Sequence, residues 1–207
     1  MSRHPSLPAR SSRMTRGAVV ALAVAFALAT DPGVGWPQSG KHPTATDYLA
    51  TLKIGQWIQL DGTVKGEASV SCTEVKQLSG DFLDDDWSIQ GSAQAVDPGR
   101  QEFTIGGCHI QVSASTTYDD PQHKVKGLHD LRPGMLLDVE GTFLRTGILL
   151  AAEVDDESKE LARRPQLKDV VEIVGRIEKV DTKLRLISVM GVTFEVTEKT
   201  KLRSAVQ

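Results

Sequence analysis

The sequence predicts an all-β fold with short helical turns, organised as two small closed barrels. Two sets of internal repeats carry this reading. Residues 49–76 match 128–155 at a constant offset of 79, with Leu49, Leu52, Gly55, Gly62, Thr63, Glu74 and Val75 falling on Leu128, Leu131, Gly134, Gly141, Thr142, Glu153 and Val154. Residues 89–118 match 173–202 at an offset of 84, where Ile89, Gly91, Val96, Asp97, Gly107, Val112 and Thr116 recur as Ile173, Gly175, Val180, Asp181, Gly191, Val196 and Thr200. Repeats decide architecture before other signals do. The third observation is that the matched segments are short apolar–polar alternations broken by glycine, which is the strand signature.

Taken in order, the 89–118 type opens with a strand over Ile89–Val96, turned by Asp97-Pro98-Gly99 into a second strand over Gln101–Ile105. Gly106-Gly107 makes another tight turn, because glycine reaches positive φ cheaply. Cys108–Ala114 is the third strand, with Cys108, Ile110 and Val112 on one face and His109, Gln111 and Ser113 on the other. The 128–155 type begins with a helical turn carrying Leu128 and Leu131, stopped at Pro133-Gly134. A hairpin of Met135–Leu144 and Ile148–Val154 follows, with Gly147 in its turn and Gly141 at a bulge or bend.

From 89 to 155 the order is strand, strand, strand, short helix, strand, strand. That is the order of an OB-type barrel, a small Greek-key barrel closed by its first and last strands. The flanking pieces, 47–77 (helix, strand, strand) and 170–205 (three strands), are each too short to bury a core alone. Two arrangements repair this. In one, the terminal pieces meet and build a second, circularly permuted barrel around the unbroken module at 88–156. In the other, 49–118 and 128–202 are plain tandem copies. The first is preferred because the OB order is then contiguous in the middle copy. Residues 77–88 and 157–169 are the charged linkers, with a helical turn expected at Ser158–Arg164.

Residues 1–29 read as a signal peptide. Arg3, Arg10, Arg13 and Arg16 form a positive n-region, Gly17–Ala29 is an apolar core too short to span a bilayer, and Ala27 and Ala29 give an A-x-A-like cleavage site. Residues 30–46 are a flexible lead-in rich in Pro, Gly and Thr. The whole chain carries 24 basic and 27 acidic residues; removing the signal leaves 20 against 27. Charge is also segregated, with 7 basic and 18 acidic residues over 61–157 but 11 and 7 over 159–203. An acidic body repels nucleic acid phosphates. The outward positions where stacking aromatics would be needed hold His109, Gln111, Thr193 and Glu195 instead.

The runs G-x-I-x-x-V-D (Gly175, Ile177, Val180, Asp181) and G-x-x-F-x-V with a following threonine (Gly191, Phe194, Val196, Thr200) carry a family resemblance, as do Asp130–Gly141 and Leu149–Val154. With these motifs the chain resembles the bacterial domain-of-unknown-function family numbered five-six-six-six, which implies an exported, often repeated, OB-like module. It departs from that pattern at Ala93, where isoleucine is preferred, and at Lys53-Ile54-Gly55. The resemblance brings no catalytic residue.

Local chemistry is sparse. No serine sits in a strained elbow beside a base. The carboxylate pairs Asp84-Asp85-Asp86, Asp119-Asp120 and Asp155-Asp156 fall in expected loops, ionised and solvated. An enzyme is therefore not expected, and no cofactor is implied. His109, His123 and His129 lack metal-ligand spacing and read as solvated. Cys72 and Cys108 would share a barrel, and be bridged, only in the tandem arrangement; in the permuted one they are separate buried thiols.

The function expected is a non-catalytic binding or scaffolding protein of the periplasm or cell exterior, not embedded in the membrane. Its partner would be an envelope protein, a glycan or a small ligand. By analogy of fold the binding face would be His109, Gln111 and Ser113. A periplasmic copper- or zinc-handling protein using His109, His123 and His129 is the alternative, and a domain-swapped dimer is allowed. Intact mass of the exported protein is expected to show a chain beginning at Thr30; an unprocessed mass would overturn the reading of export.

Overall fold

The computed structural model describes residues 44–66, 68–78, 87–120, 122, 124–144 and 147–204. Residues 1–29, expected as a signal peptide, most of the expected lead-in, His123 and Asp84-Asp85-Asp86 lie outside the described residues. Helix α1 (Ala45–Thr51) begins inside the expected lead-in, because Thr44 and Asp47 make a capping box. The Thr44 side chain accepts from the Asp47 amide at 3.2 Å, and the Asp47 carboxylate accepts from the Thr44 amide at 3.1 Å. Tyr48 and Leu49 are its buried face.

Strands β1 (Trp57–Val64) and β2 (Ser69–Gln77) follow the helix as an antiparallel pair. Next come β3 (Trp87–Asp97), β4 (Glu102–Ile105), β5 (Cys108–Gln111) and β6 (Thr117–Asp119), then a 3-10 turn at Leu128–Asp130. β7 (Leu136–Phe143) and β8 (Ile148–Asp156) complete the middle module, and α2 (Ser158–Arg163) lies in the linker. The last part holds β9 (Val170–Arg176), β10 (Lys179–Asp181), β11 (Leu186–Val189), β12 (Val192–Glu195) and β13 (Lys201–Arg203).

The middle module closes on itself. β3 pairs with β4, β4 with β5, β5 in parallel with β8, β8 with β7, and β7 again with β3. The terminal pieces close a second barrel in the same way: β9 on β1, β1 on β2, β2 in parallel with β12, then β12 on β11 and β11 on β10. β10 continues β9 after a break at Ile177 and Glu178. The permuted arrangement is thus the one formed, within a single chain, and the tandem alternative is not. Cys72 on β2 and Cys108 on β5 belong to different barrels and are free, buried thiols, so the disulfide of the tandem arrangement is absent.

The two barrels repeat each other residue for residue. Bulges fall between Asp61 and Gly62 and between Glu140 and Gly141, 79 positions apart. β6 lies parallel to β8 with Thr117 opposite Glu153, and β13 parallel to β2 with Lys201 opposite Glu74. The third strand of each barrel is shorter than its alternation suggests, because a threonine ends it. Thr116 accepts from the Ser113 amide and donates to the Ala151 carbonyl at 2.8 Å; Thr200 accepts from the Thr197 amide and donates to the Cys72 carbonyl at the same distance.

Glycine is needed at the bulges for space. A Cβ on Gly62 would stand 2.7 Å from the Ser71 carbonyl oxygen, and one on Gly141 would collide with the Leu150 carbonyl. The first strands of the two barrels also pair with each other: β3 runs antiparallel to β9, with Ile89 opposite Ile173 and Gln90 opposite Glu172. Since residues 89 and 173 are equivalent, a pseudo-two-fold axis passes between them. Both isoleucines are fully buried, in one hydrophobic core that runs through the two barrels. Replacing Ile173 by Ala is expected to cost about 2–5 kcal/mol by urea unfolding, as for large-to-small core substitutions generally. Because the core is continuous, the loss should register in a single transition followed by tryptophan fluorescence and circular dichroism alike.

Candidate functional site: a carboxylate row across both barrels

Pairing of β3 with β9 makes β2–β1–β9–β3–β7–β8 one sheet, with β6 added beyond β8. Its inner positions are the aliphatic core; its outer positions carry charge. Following the register across the strands, Glu74 stands opposite Asp61, Asp61 opposite Glu172, Glu172 opposite Gln90, Gln90 opposite Asp138, Asp138 opposite Asp155, and Asp155 opposite Asp119. Six carboxylates and one amide therefore form a single row over seven strands. Directly opposed residues have Cβ atoms about 4.5–5.5 Å apart, so like charges there repel. The adjacent row, Lys76, Gln59, Val174, Ser88, Glu140 and Glu153, is milder.

Partial burial and mutual repulsion act together on these groups. Burial, reinforced by Glu140 and Glu157, pushes the Asp138 carboxyl up to about 6. Burial, reinforced by Glu153 and Asp119, pushes Asp155 up to about 7. Burial and the nearby Asp61 and Asp138 charges do the same for Glu172, also to about 7. Asp61 is raised by burial and by Glu74. The amides moderate the row: Gln59 Nε2 donates to Glu172 Oε1 at 2.6 Å, and Gln90 Nε2 to Asp138 Oδ2 at 3.5 Å. Oδ1 of Asp61 and Oδ1 of Asp155 are buried with no hydrogen-bond partner. At these values Asp138, Asp155 and Glu172 exchange protons near neutral pH, which solvated carboxylates do not.

The two ends of the row differ in charge. In the terminal barrel Lys76 and Arg203 flank it, and Arg203 Nε lies 2.6 Å from Glu74 Oε1. The equivalent positions in the middle barrel hold Asp155 and Asp119. One copy thus neutralises its carboxylates and the other accumulates them.

His109 and Gln111 lie on the outer face of β5, His109 exposed, opposite Thr104 and Glu102 of β4 and Ile148 and Leu150 of β8. Ser113 is in the turn that follows, its hydroxyl engaged with Ser115 at 2.8 Å. His129 is exposed on the 3-10 turn, 3.3 Å from Asp130. Among the described residues no three His, Cys, Asp or Glu side chains come together as a metal-binding group. Burial pushes the thiols of Cys72 and Cys108 up to about 12, which leaves neither as a nucleophile. The acidic pairs expected in loops need correction. Asp155 and Asp156 end β8 and Asp119 ends β6, and strand pairing, not loop solvation, sets the environment of Asp155. Asp120 is buried in the following loop, its carboxylate accepting from the amides of Gln122, Lys124 and Val125.

Sequence reasoning missed Asp61, Asp138 and Glu172. The signal was present in the alternations around them, with aliphatics on both sides of two of the acids, Leu137-Asp138-Val139 and Val171-Glu172-Ile173, and Leu60 before Asp61. What was not visible is that β3 and β9 lie side by side.

The fold and its outer face define a protein of two twinned OB-type barrels fused through one sheet. Residues 90–155, the unbroken barrel, match the model of the family described as Domain of unknown function (DUF5666), in agreement with the resemblance read from the motifs. No curated protein and no solved structure matches the chain. No helix among the described residues is long and apolar enough to cross a membrane.

The carboxylate row has a pH signature. The folded values of Asp138, Asp155, Glu172 and Asp61 lie above the ordinary 3.8 of Asp and 4.5 of Glu. The folded chain therefore binds more protons than the unfolded chain between about pH 4 and 7, and stability rises as pH falls through that window. Asp47 and Asp120, held low chiefly by hydrogen bonds, oppose this only below about pH 4. The urea midpoint is expected to be higher at pH 5 than at pH 8, with the slope flattened in an Asp138→Asn, Glu172→Gln double variant.

Proposed function

We propose that the chain is an exported, non-catalytic binding or scaffolding protein of the bacterial envelope, and that it engages a positively charged partner through the carboxylate row. The observation that supports this most is the asymmetry of the row. At equivalent positions the terminal barrel has Lys76 and Arg203, which neutralise their neighbours, while the middle barrel has Asp155 and Asp119. Concentrating like charge lowers fold stability, so the acidic end is better suited to meeting outside cations than to holding the barrel together. The row is half-buried along the outer sheet face and ends at the exposed Asp119, which fits a cationic polypeptide or glycan segment laid across its acidic end. It disfavours nucleic acid, whose phosphates the same charges repel. The signal-like residues 1–29 support export, and partial protonation of the row makes affinity fall as pH drops through 7 to 6.

Fluorescence anisotropy with a labelled nona-lysine peptide at low salt tests the reading, with nona-glutamate as control. Saturable binding is expected at pH 8, weakening at least several-fold at pH 5.5 and in an Asp119→Asn, Asp155→Asn variant. Absence of binding to nona-lysine, or binding indifferent to both substitutions, would sink it.

A further inference from the structure

The pseudo-two-fold axis lets each site in one barrel be compared with its counterpart in the other, and one pair of counterparts differs in bulk at five positions. At the end of the middle barrel near the β3–β9 seam lies a cleft of about 210 Å³, lined among others by Val64, Ala93, Gly106 and Val171 and rimmed by Ser92 and Lys168. The counterparts of Val64, Ser92, Ala93, Gly106 and Val171, at offsets of 79 and 84, are Phe143, Arg176, Ile177, Met190 and Trp87. Each is larger than its twin.

The equivalence holds in the packing as well as in the numbering. Trp87 lies over Gly175 and Val189 as Val171 lies over Gly91 and Ile105: a Cβ on Gly175 would meet the Trp87 ring at 2.7 Å and Val189 at 2.8 Å, and one on Gly91 would meet Ile105 at 2.6 Å and Val171 at 3.5 Å. In the terminal barrel this region is filled by rings. Trp87 sits 5.0 Å from Trp57 and 5.1 Å from Phe143, centroid to centroid, and Arg176 lies over Trp57 at 5.2 Å. In the middle barrel the corresponding residues are Leu136, Val171, Val64 and Ser92, and the last three, each far smaller than its twin, line the cleft.

We propose that this cleft is a binding site for a planar aromatic group of up to indole size, taking the place that the Trp87 ring holds in the other barrel. The aliphatic walls supply apolar burial on both faces of a ring. The Ser92 hydroxyl donates to the Lys168 carbonyl at 2.7 Å, and both residues line the cleft where the other barrel presents Arg176. The site is separate from the carboxylate row and does not depend on that row's function.

The test is a nitrogen–proton correlation spectrum of the processed protein titrated with indole, beside an Ala93→Ile, Gly106→Met variant that copies the filled barrel. The second change sets a side chain at φ 57°, as Met190 does at φ 51° in the other barrel, and its Cβ would stand 3.2 Å from Val171, which must give slightly. Saturable shifts are expected at the amides of residues 93, 106 and 171 in the parent. They should vanish in the variant, whose Tm should rise by about 2–6 °C as for cavity filling in a domain of this size. Should the double variant fold poorly, Ala93→Ile alone carries the same test without touching a positive φ. N-acetyl-tryptophanamide separates the two sources of such a ring. Binding as tight as indole points to a side chain on a polypeptide, and exclusion points to a free small molecule. No saturation below about 10 mM (the weak limit for a ligand of so few atoms), shifts confined to another surface, or shifts unaltered in the variants would overturn the proposal.

Discussion

Four residue pairs between β3 and β9, with Ile89 opposite Ile173 among them, are the contact on which the rest of this molecule depends. A strand in a small barrel ordinarily pairs with two neighbours of its own barrel. Here the first half of each opening strand has a free edge, because the second strand of its barrel joins only further along: β4 pairs with residues 93–97 of β3, beyond the stretch that meets β9. Exposed edges invite association with other chains. The two barrels answer this by covering each other's edge, and the same pairing merges their cores and places Glu172 in register with Gln90.

That registration has an electrostatic cost. Each barrel alone would carry a short outward run of acids with bulk water around it. Joined, the runs become one row in which burial and like charge reinforce each other, and three carboxyls move to values between about 6 and 7. The amide side chains of Gln59 and Gln90 interrupt the repulsion where the barrels meet, each donating to a carboxylate of a neighbouring strand. Hydrophobic burial of two isoleucines and their neighbours outweighs what repulsion remains, since apolar area is removed from water on both sides of the seam while the charges stay partly solvated.

Much of the architecture was legible because the repeat is strict. Gly62 and Gly141, Gly107 and Gly191, and Thr116 and Thr200 occupy equivalent backbone positions for the same steric or hydrogen-bonding reasons, and their spacing alone set the element order and favoured the permuted closure. The free state of Cys72 and Cys108 followed from that closure. The charged face was not legible. Alternation shows that Asp138 points away from the core, but not which strand stands beside it, and the edge between β3 and β9 belongs to no recurring local motif. The apolar alternation stops at Val154 and suggests a loop from Asp155, whereas β8 runs on to Asp156 under the pairing of Leu137 with that residue. His109 and Gln111 were placed on the correct strand face, yet what surrounds them depends on β8, their parallel neighbour from a distant part of the chain.

The weave of the second barrel also orders events in time. Residues 57–77 can form their own hairpin early, but the other neighbours of β1 and β2 lie in residues 170–203, so during synthesis their outer edges wait for strands that emerge late, while the middle module can close as soon as residue 156 is out. Closing a loop of that length is entropically mild, but long-range strand pairing is slow and leaves apolar edges exposed in the interval. The finished middle barrel, offering the edge of β3, gives β9 a surface on which to assemble. β9, held between β3 of the middle barrel and β1 of the terminal one, is the strand through which late and early parts of the chain are joined.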